Sequence, residues 1–450
     1  MERSVQQEFG FVTDEPLGPH PGQSKSQAAT LSFWMIFAAL ICLGVAMINQ
    51  GPLPSEDATN QSRGYIFLIN QAVAIGNLDL LILFQAFAFL GSIFLLTRVA
   101  LRYHVSNVPA SRSVFILVLV ASLGSLPFYV AHLSANVFAA VLVIVVAALS
   151  VFSRQMTRAE RAMFVVLGSV AVLMEPTGLT MLILLLPIAA IVSSATGKQG
   201  KWVGPALIGL IGLAGFVDRA LAPEPANPQP NLTIRLIADG PGQAFLAQNC
   251  PGIGLATCAL SAKLESLADP RSKSAETIMF DRSEQFGSYR TMPSDVQAAI
   301  ADEQLTFLRQ VVWDSPVKSI LGFVGSTLDQ TNRFDVGGVL AFDPVADGNA
   351  DAIGTAVPSW LPALTAFHTL VYAVSALLAI VLTVLPQNAP PLRIRAVVAM
   401  MLAGILVNAW IGGMSAVPNS LSGARVVFLM PMGLALLLMF HMPDGGKQKA

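Results

Sequence analysis

Charge is what this sequence has least of. Only 12% of its 450 residues are Asp, Glu, Lys or Arg, against about 25% in soluble domains. With 54% hydrophobic residues arranged in long apolar runs, that shortage excludes an ordinary soluble domain and points to a polytopic membrane protein. The net charge of −1 offers no basic field for nucleic acid. There is no GxGxxG opening a helix after a strand, no P-loop and no HExxH, so the best-marked dinucleotide, nucleotide and zinc-protease sites are missing. No alternation is strong enough to claim a sheet. No internal repeat is visible, which weakens an inverted-repeat transporter. Residues 1–30 lack the basic start and early apolar run of a signal peptide, and read as a cytoplasmic tail.

Cysteine is also scarce, with three residues. Cys42 lies in an apolar run and reads as packing. Cys250 and Cys258 stand in CPGIGLATC, within the one large hydrophilic segment. So close a pair in a non-cytoplasmic domain suggests a local disulfide worth roughly 2–3 kcal/mol; the alternative is two free thiols. With no His nearby, the pair makes a poor zinc site.

What the chain does have is apolar runs. Ten can be counted: Ser32–Asn49, Leu78–Thr97, Ser113–His132, Val137–Phe152, Ala162–Met174, Gly178–Ser194, Trp202–Ala220, Leu361–Pro386, Ile394–Met414 and Val426–His441. Most approach or exceed the roughly seventeen residues that span a bilayer. The critical stretch is SVAVLMEPTGLTMLI, 169–183, where Glu175 is the one charge between Ala162 and Val192. With the N-terminus inside, Arg98, Arg102, Arg112, Arg154, Arg158, Arg161, Lys198, Lys201, Arg393 and Arg395 all fall in inner loops, as the positive-inside rule requires. That asymmetry survives only if the run crosses twice. Glu175-Pro176-Thr177-Gly178 is then an outer hairpin tip, where Pro ends a helix.

The expected organisation follows: a tail over 1–30, a membrane part over 31–220 with an outer loop at 50–77, an outer domain over 221–359, a second membrane part over 360–441, and a tail over 442–450. Within the outer domain, SDVQ at Ser294 reads as a capping box opening a helix with Val296, Ile300, Leu305, Leu308 and Val312 on one side. Ser315-Pro316 opens another, carrying Ile320, Val324 and Leu328. The stretch LADPRSKSAETIMFDRSEQFGSYRTMP reads as loop-rich.

Polar residues collect at the outer face. The first outer loop offers Glu56, Asp57, Arg63, Tyr65 and Asp79; then come Tyr129, His132 and Asn136, Glu175 and Thr177, Asp218 and Arg219, and Arg425. Such a face suits an anionic lipid-linked donor, with Arg425 or Arg63 on its phosphate and a carboxylate as base for an acceptor hydroxyl. Each residue also has a plainer role: Glu56, Asp57 and Glu175 as solvated acids, His132 as an interfacial ring, Asn136 as a helix cap, Arg425 as a snorkelling anchor, Asp79 as a helix-dipole acid. His368 and Asn408 are the few polar residues inside apolar segments.

One helix, an acid-bearing outer loop, a run of closely linked helices, a large outer domain and a few final helices: this order resembles the GT-C class of membrane glycosyltransferases. More closely it resembles a group of bacterial inner-membrane proteins of the same general shape. The resembling stretches are SLPFYVAHLSANVFAAVL (125–142), RLIADGPGQAFLAQNCPGIGLATCAL (235–260) and ARVVFLMP (424–431). The resemblance implies an all-α polytopic inner-membrane protein with about ten transmembrane helices, both termini cytoplasmic, and a mostly helical, loop-rich periplasmic domain. It also implies transfer of a sugar from a polyprenyl-phosphate donor to an envelope glycan or lipid. The class usually carries an acid in the first outer loop, a place filled by Glu56 and Asp57. It often carries a second acid near the outer end of the third or fourth helix, where this chain has Asn136. A neutral amide is neither a base nor a strong metal ligand, so a divalent metal is put in doubt and Glu175 becomes the substitute carboxylate. Other readings are a non-catalytic membrane subunit bound to a partner protein, an oligosaccharide polymerase or ligase leaning on Arg63 and Arg425, and a transporter.

Overall fold

The computed structural model describes residues 25–53, 62–103, 110–197, 200–221, 229–267, 273–283, 285–337, 359–384, 390–415 and 420–440. Glu56 and Asp57 lie outside them. Among the described residues the chain is all-helical, with one isolated bridge between Leu53 and His132. The first part contains α1 Lys25–Cys42, α2 Gly44–Ile48, α3 Arg63–Ile75, α4 Asp79–Tyr103, α5 Ala110–Ala121, α6 Leu126–Ala131, α7 Val137–Phe152, α8 Arg158–Met174, α9 Gly178–Thr196 and α10 Val203–Ala220. Among the described residues six helices are long and apolar enough to cross a membrane: Asp79–Arg102, Gly178–Thr196, Val203–Ala220, Leu361–Val384, Leu392–Gly413 and Ser422–Met439. Shorter apolar helices run over Phe33–Cys42, Ala110–Ala121 and Val137–Phe152.

Two sequence boundaries change. The run Ser113–His132 is not one helix but α5 and α6, separated by a turn at 122–125 whose Ser125 backbone N–H is taken by the Tyr372 hydroxyl at 2.9 Å. The stretch 50–77, expected as a loop, contains a helix, α3, capped by Ser62 on the Tyr65 amide.

The expected split of the run 162–194 is present. Helix α8 ends at Met174, α9 begins at Gly178, and the two return side by side. At the other end of α8, Thr157 and Glu160 form a reciprocal capping box, satisfying two otherwise orphaned N–H groups.

The bundle is organised round α7. All of its residues from Val137 to Phe152 are buried, and α4, α8, α9 and α10 pack against it. Small residues permit the closest approaches: a Cβ at Gly204 of α10 would lie 2.4 Å from the Leu149 carbonyl oxygen of α7. Tight backbone approach through glycine is how apolar helices associate without a hydrophobic driving force between them.

The second part is α11 Asn231–Ala238, α12 Pro241–Asn249, α13 Thr257–Ser266, α14 Ala275–Phe280, α15 Ser294–Asp302, α16 Gln304–Asp314 and α17 Pro316–Thr331. It has its own core, centred on Ile234, Leu246, Leu260, Ile278, Tyr289 and Phe307. The Cys250–Cys258 disulfide closes across a Cα separation of 5.6 Å and ties the end of α12 to α13. The start of α13 is held by Glu303, whose carboxylate accepts from the Ala256 and Thr257 amides at 2.9 and 2.6 Å; an acid is favoured at a helix N-terminus.

Two expectations fail here. Ser294 makes no capping box: Pro293 precedes the helix, no side-chain cap bond forms, and Gln297 instead donates to the Met292 carbonyl at 2.8 Å. The stretch read as loop-rich holds, among its described residues, only the short α14 and a 3-10 turn over Tyr289–Thr291. On α17, Ile320, Val324 and Leu328 face outward, while Ser319, Phe323, Ser326 and Gln330 are buried. The chain closes with α18 Leu361–Val384, α19 Leu392–Gly413, α20 Ser420–Val427 and α21 Leu429–Met439. Helix α17 packs along α19, so the two parts share an interface.

Candidate functional site

Four separate elements bring polar side chains to one end of the bundle. Glu175 comes from the α8–α9 turn, Asn136 from the residue before α7, Asn408 from the next-to-last turn of α19, and Arg425 from the last turn of α20. The Arg425 guanidinium donates from Nη1 to Glu175 Oε1 at 2.8 Å and to Asn136 Oδ1 at 3.3 Å. Its Nη2 donates to Thr177 Oγ1 at 3.0 Å, and its Nε to Asn408 Oδ1 at 2.8 Å. Glu175 is 2% exposed and Arg425 4%. A carboxylate removed from water costs several kcal/mol unless paired and hydrogen-bonded, and this one is both.

The expectation of a solvated hairpin acid is therefore corrected. Glu175 does sit at the turn between two helices, but its carboxylate points into the bundle. Thr177 closes the turn, donating from its hydroxyl to Glu175 Oε1 at 3.0 Å while accepting from Arg425. Glu175 Oε2 is buried with no hydrogen-bond partner among the described residues.

Asn136 does not cap α7 with its side chain. Its Oδ1 takes Arg425, and its Nδ2 donates to Ser134 Oγ at 2.8 Å. Ser134 Oγ in turn lies 2.8 Å from His132 Nδ1. The serine hydroxyl keeps both a proton to donate and a second lone pair, so it can serve either tautomer of the buried His132. His132 is thus not an interfacial ring but the far end of a polar chain running through Ser134 and Asn136 to Arg425. The amide at 136 also has a charge-balance reason. Arg425 already meets one carboxylate, and an acid at 136 would give a single guanidinium two buried anions.

The other residues singled out from sequence divide. Tyr129 is buried in a small cluster with Tyr372 and with Ala424 and Val427, the last two on the helix that carries Arg425. Arg63 is not in the cluster: it is exposed and donates to the Leu221 carbonyl at 3.0 Å. Tyr65 is fully buried, its hydroxyl without a partner among the described residues. Arg219 donates to the Pro176 carbonyl at 2.7 Å, bracing the Glu175 turn. His368 is buried against the rings of Phe128 and Tyr372.

Asn408 has a second neighbour. A cavity of about 300 Å³ lies between the end of α17 and helices α18, α19 and α20, lined by Gln330, Phe334, Ile380, Ile405, Asn408 and Val427 among others. Its wall is apolar apart from a few groups, and Asn408 stands between it and the ion pair. The sequence marks Asn408 only as an isolated polar residue in an apolar helix, a functional signal in itself. Ser134 carries no such mark.

Among the described residues no group of three or more His, Cys, Asp or Glu is placed to hold a metal ion. Comparison of the chain with protein-family models, with curated proteins and with solved structures finds no match.

Proposed function

We propose that this protein transfers a sugar from a polyprenyl-phosphate donor to a hydroxyl of an envelope glycan or lipid at the outer face of a bacterial inner membrane. This reading includes ten crossings, both termini inside, and residues 221–359 outside. The observation that carries it is the buried Glu175–Arg425 pair, joined through Asn408 to an apolar cavity. A lipid-linked phosphate needs a slot for its chain and a cation for its head group; cavity and guanidinium stand one residue apart.

In this reading the donor phosphate takes over the Nη groups of Arg425, the geometry in which a guanidinium best meets phosphate oxygens. Glu175 is then freed as a base. It accepts the acceptor hydroxyl proton while the acceptor oxygen bonds the sugar C1. The bond from C1 to the phosphate oxygen breaks, and the polyprenyl phosphate leaves with the electron pair. Asn136 and Thr177 hold the two charged groups before and after the exchange. Glu56 and Asp57 are the competing candidates for the base.

The test is product formation from a radiolabelled polyprenyl-phosphate sugar in membranes carrying each variant at equal protein level. Glu175→Gln should lose the product by about 10²-fold or more, the scale of general-base removal. Full activity in Glu175→Gln moves the base to the first loop. Full activity there and in Glu56→Gln/Asp57→Asn together removes the catalytic reading.

One observation favours a second reading. Arg425 already has its Nε and both Nη groups engaged by protein oxygens, as suits a structural lock in a non-catalytic membrane subunit. A wild-type protein that forms no product but co-purifies with a membrane partner would decide for that reading.

A further inference from the structure

Helix α17 has its polarity reversed. Between Lys318 and Asp329 every exposed residue is apolar: Ile320, Leu321, Val324, Gly325 and Leu328. The buried residues include Ser319, Ser326 and Gln330. Ser326 is held inside by Asp239 and Arg235, at 3.0 and 2.9 Å. A helix in a water-soluble domain turns its apolar stripe to the core; this one turns it out. Val317 and the preceding Trp313 extend the stripe, at 67% and 87% exposed. A contiguous apolar patch of this kind marks a contact surface.

The position of α17 names the contact. Its inner side lies against the last turns of α19, one of the helices able to cross a membrane. The Phe323 ring is 6.1 Å from that of Trp410, and a Cβ at Gly413 would sit 2.7 Å from the Ser326 carbonyl oxygen. On the same helix Leu406 is 58% exposed, on the surface a bilayer would cover. The α17 stripe is carried on a helix packed along that one. Charges flank it, with the exposed Asp314 and Lys318 near one end and the Asp329–Arg333 pair, 3.2 Å apart, at the other. Long charged side chains at the margins of an apolar face are placed to reach headgroups while the stripe meets acyl chains.

We infer that the outward face of α17, from Val317 to Leu328, is a lipid-contacting surface seated in the bilayer interface. The domain built on α11–α16 is thereby held against the membrane rather than projecting from it on a linker. This is independent of the proposed transfer reaction.

The test uses the full-length protein in phosphatidylethanolamine–phosphatidylglycerol vesicles, with single nitroxide labels at Ile320→Cys, Val324→Cys and Leu328→Cys. Ala262→Cys, exposed on α13, serves as the water-facing control. Collision rates are read with oxygen, which partitions into lipid, and with a water-soluble nickel chelate. The expected result is an oxygen-to-chelate ratio reversed from that of the control at all three positions. Chelate-dominated collisions at 324 and 328 would overturn the inference, placing the stripe in water. Low collision with both reagents would also overturn it, because a protein would then cover the stripe. If one variant fails to fold, Leu321→Cys samples the same face.

Discussion

Helix α8 carries an acid at each end, and the two ends solve the same problem differently. At the first, Glu160 sits in the opening turn, where its charge favours the helix dipole. It takes the Thr157 amide at 2.9 Å and the Arg102 guanidinium at 3.0 Å, with Arg98 at 3.6 Å. Its arginines are partly in water, 27% and 56% exposed at Arg102 and Arg98. At the second end, Glu175 follows the last turn of α8 and precedes α9, its Oε1 taking the Thr177 amide at 3.3 Å, and both partners of its ion pair are buried. The first acid is held by local helix chemistry within reach of water. The second is held by one distant arginine, 250 residues on, with the surrounding amides and hydroxyl turned to serve that pair. A position that local rules favour needs no further explanation. A charge sealed from water, whose partner comes from far along the chain, is where function is to be sought.

The largest test of this contrast is Arg425→Ala. It leaves Glu175 buried and unpaired, and should cost about 3–5 kcal/mol, read as a lowered unfolding temperature in detergent. Next comes the paired replacement Glu175→Leu with Arg425→Met. Removing both charges should recover most of that loss, because a buried ion pair exchanged for packed apolar groups is often near neutral. A double variant as unstable as Arg425→Ala alone would mean that the amide shell, not the charge, was being measured. At the other end, Glu160→Gln should cost about 1 kcal/mol, as a partly solvated pair does. Thr157→Ala should cost about as much through loss of the cap.

Acid gives the smallest effect. Burial works against the Glu160 charge, but hydrogen bonds from Arg102 and Thr157, and the Arg102 charge, outweigh it and hold the carboxyl below its usual 4.5. A depressed folded value adds stability that is complete above the unfolded pKa. It is lost as pH falls through the lowered value. Stability of wild type relative to Glu160→Gln should therefore be flat near neutrality and shrink below about pH 4.5. A difference that disappears nearer pH 7 would contradict the assignment.

Much of α8 is legible in the sequence. Arg and Lys counts divide the run at Glu175, and Thr157-x-x-Glu160 spells its own cap. Glu175, Asn136 and Arg425 can each be named as candidates, because polar residues at the ends of apolar segments are few. Their meeting is not legible. Nothing in the spacing says that an arginine near the C-terminus reaches the α8–α9 turn, so the more economical expectation is a solvated acid. Helix α17 misleads for a related reason. Its apolar period is plain, but a period shows only that a helix has two faces. Which face turns inward depends on the solvent, and beside α19 the solvent changes. Helix α3 is hidden because its apolar residues Ile66, Phe67 and Val73 are exposed, so burial leaves no clean stripe to read. The chemistry assigned to Glu56 and Asp57 lies outside the described residues.

Helix α7 carries one more consequence. Its residues from Val137 to Phe152 are apolar except Ser150, yet all are buried within the protein, so the finished molecule shows this helix to no lipid. Its hydropathy is then a requirement of biosynthesis. An apolar segment of this kind meets an insertion machinery before α8, α9 and α10 are made, and is judged there by transfer from water to membrane. Once α8, α9 and α10 arrive, the same side chains are judged by shape. Substitutions along α7 face two successive examinations, one of polarity during synthesis and one of volume after assembly. A residue such as Ala147 exchanged for Leu can pass the first and fail the second.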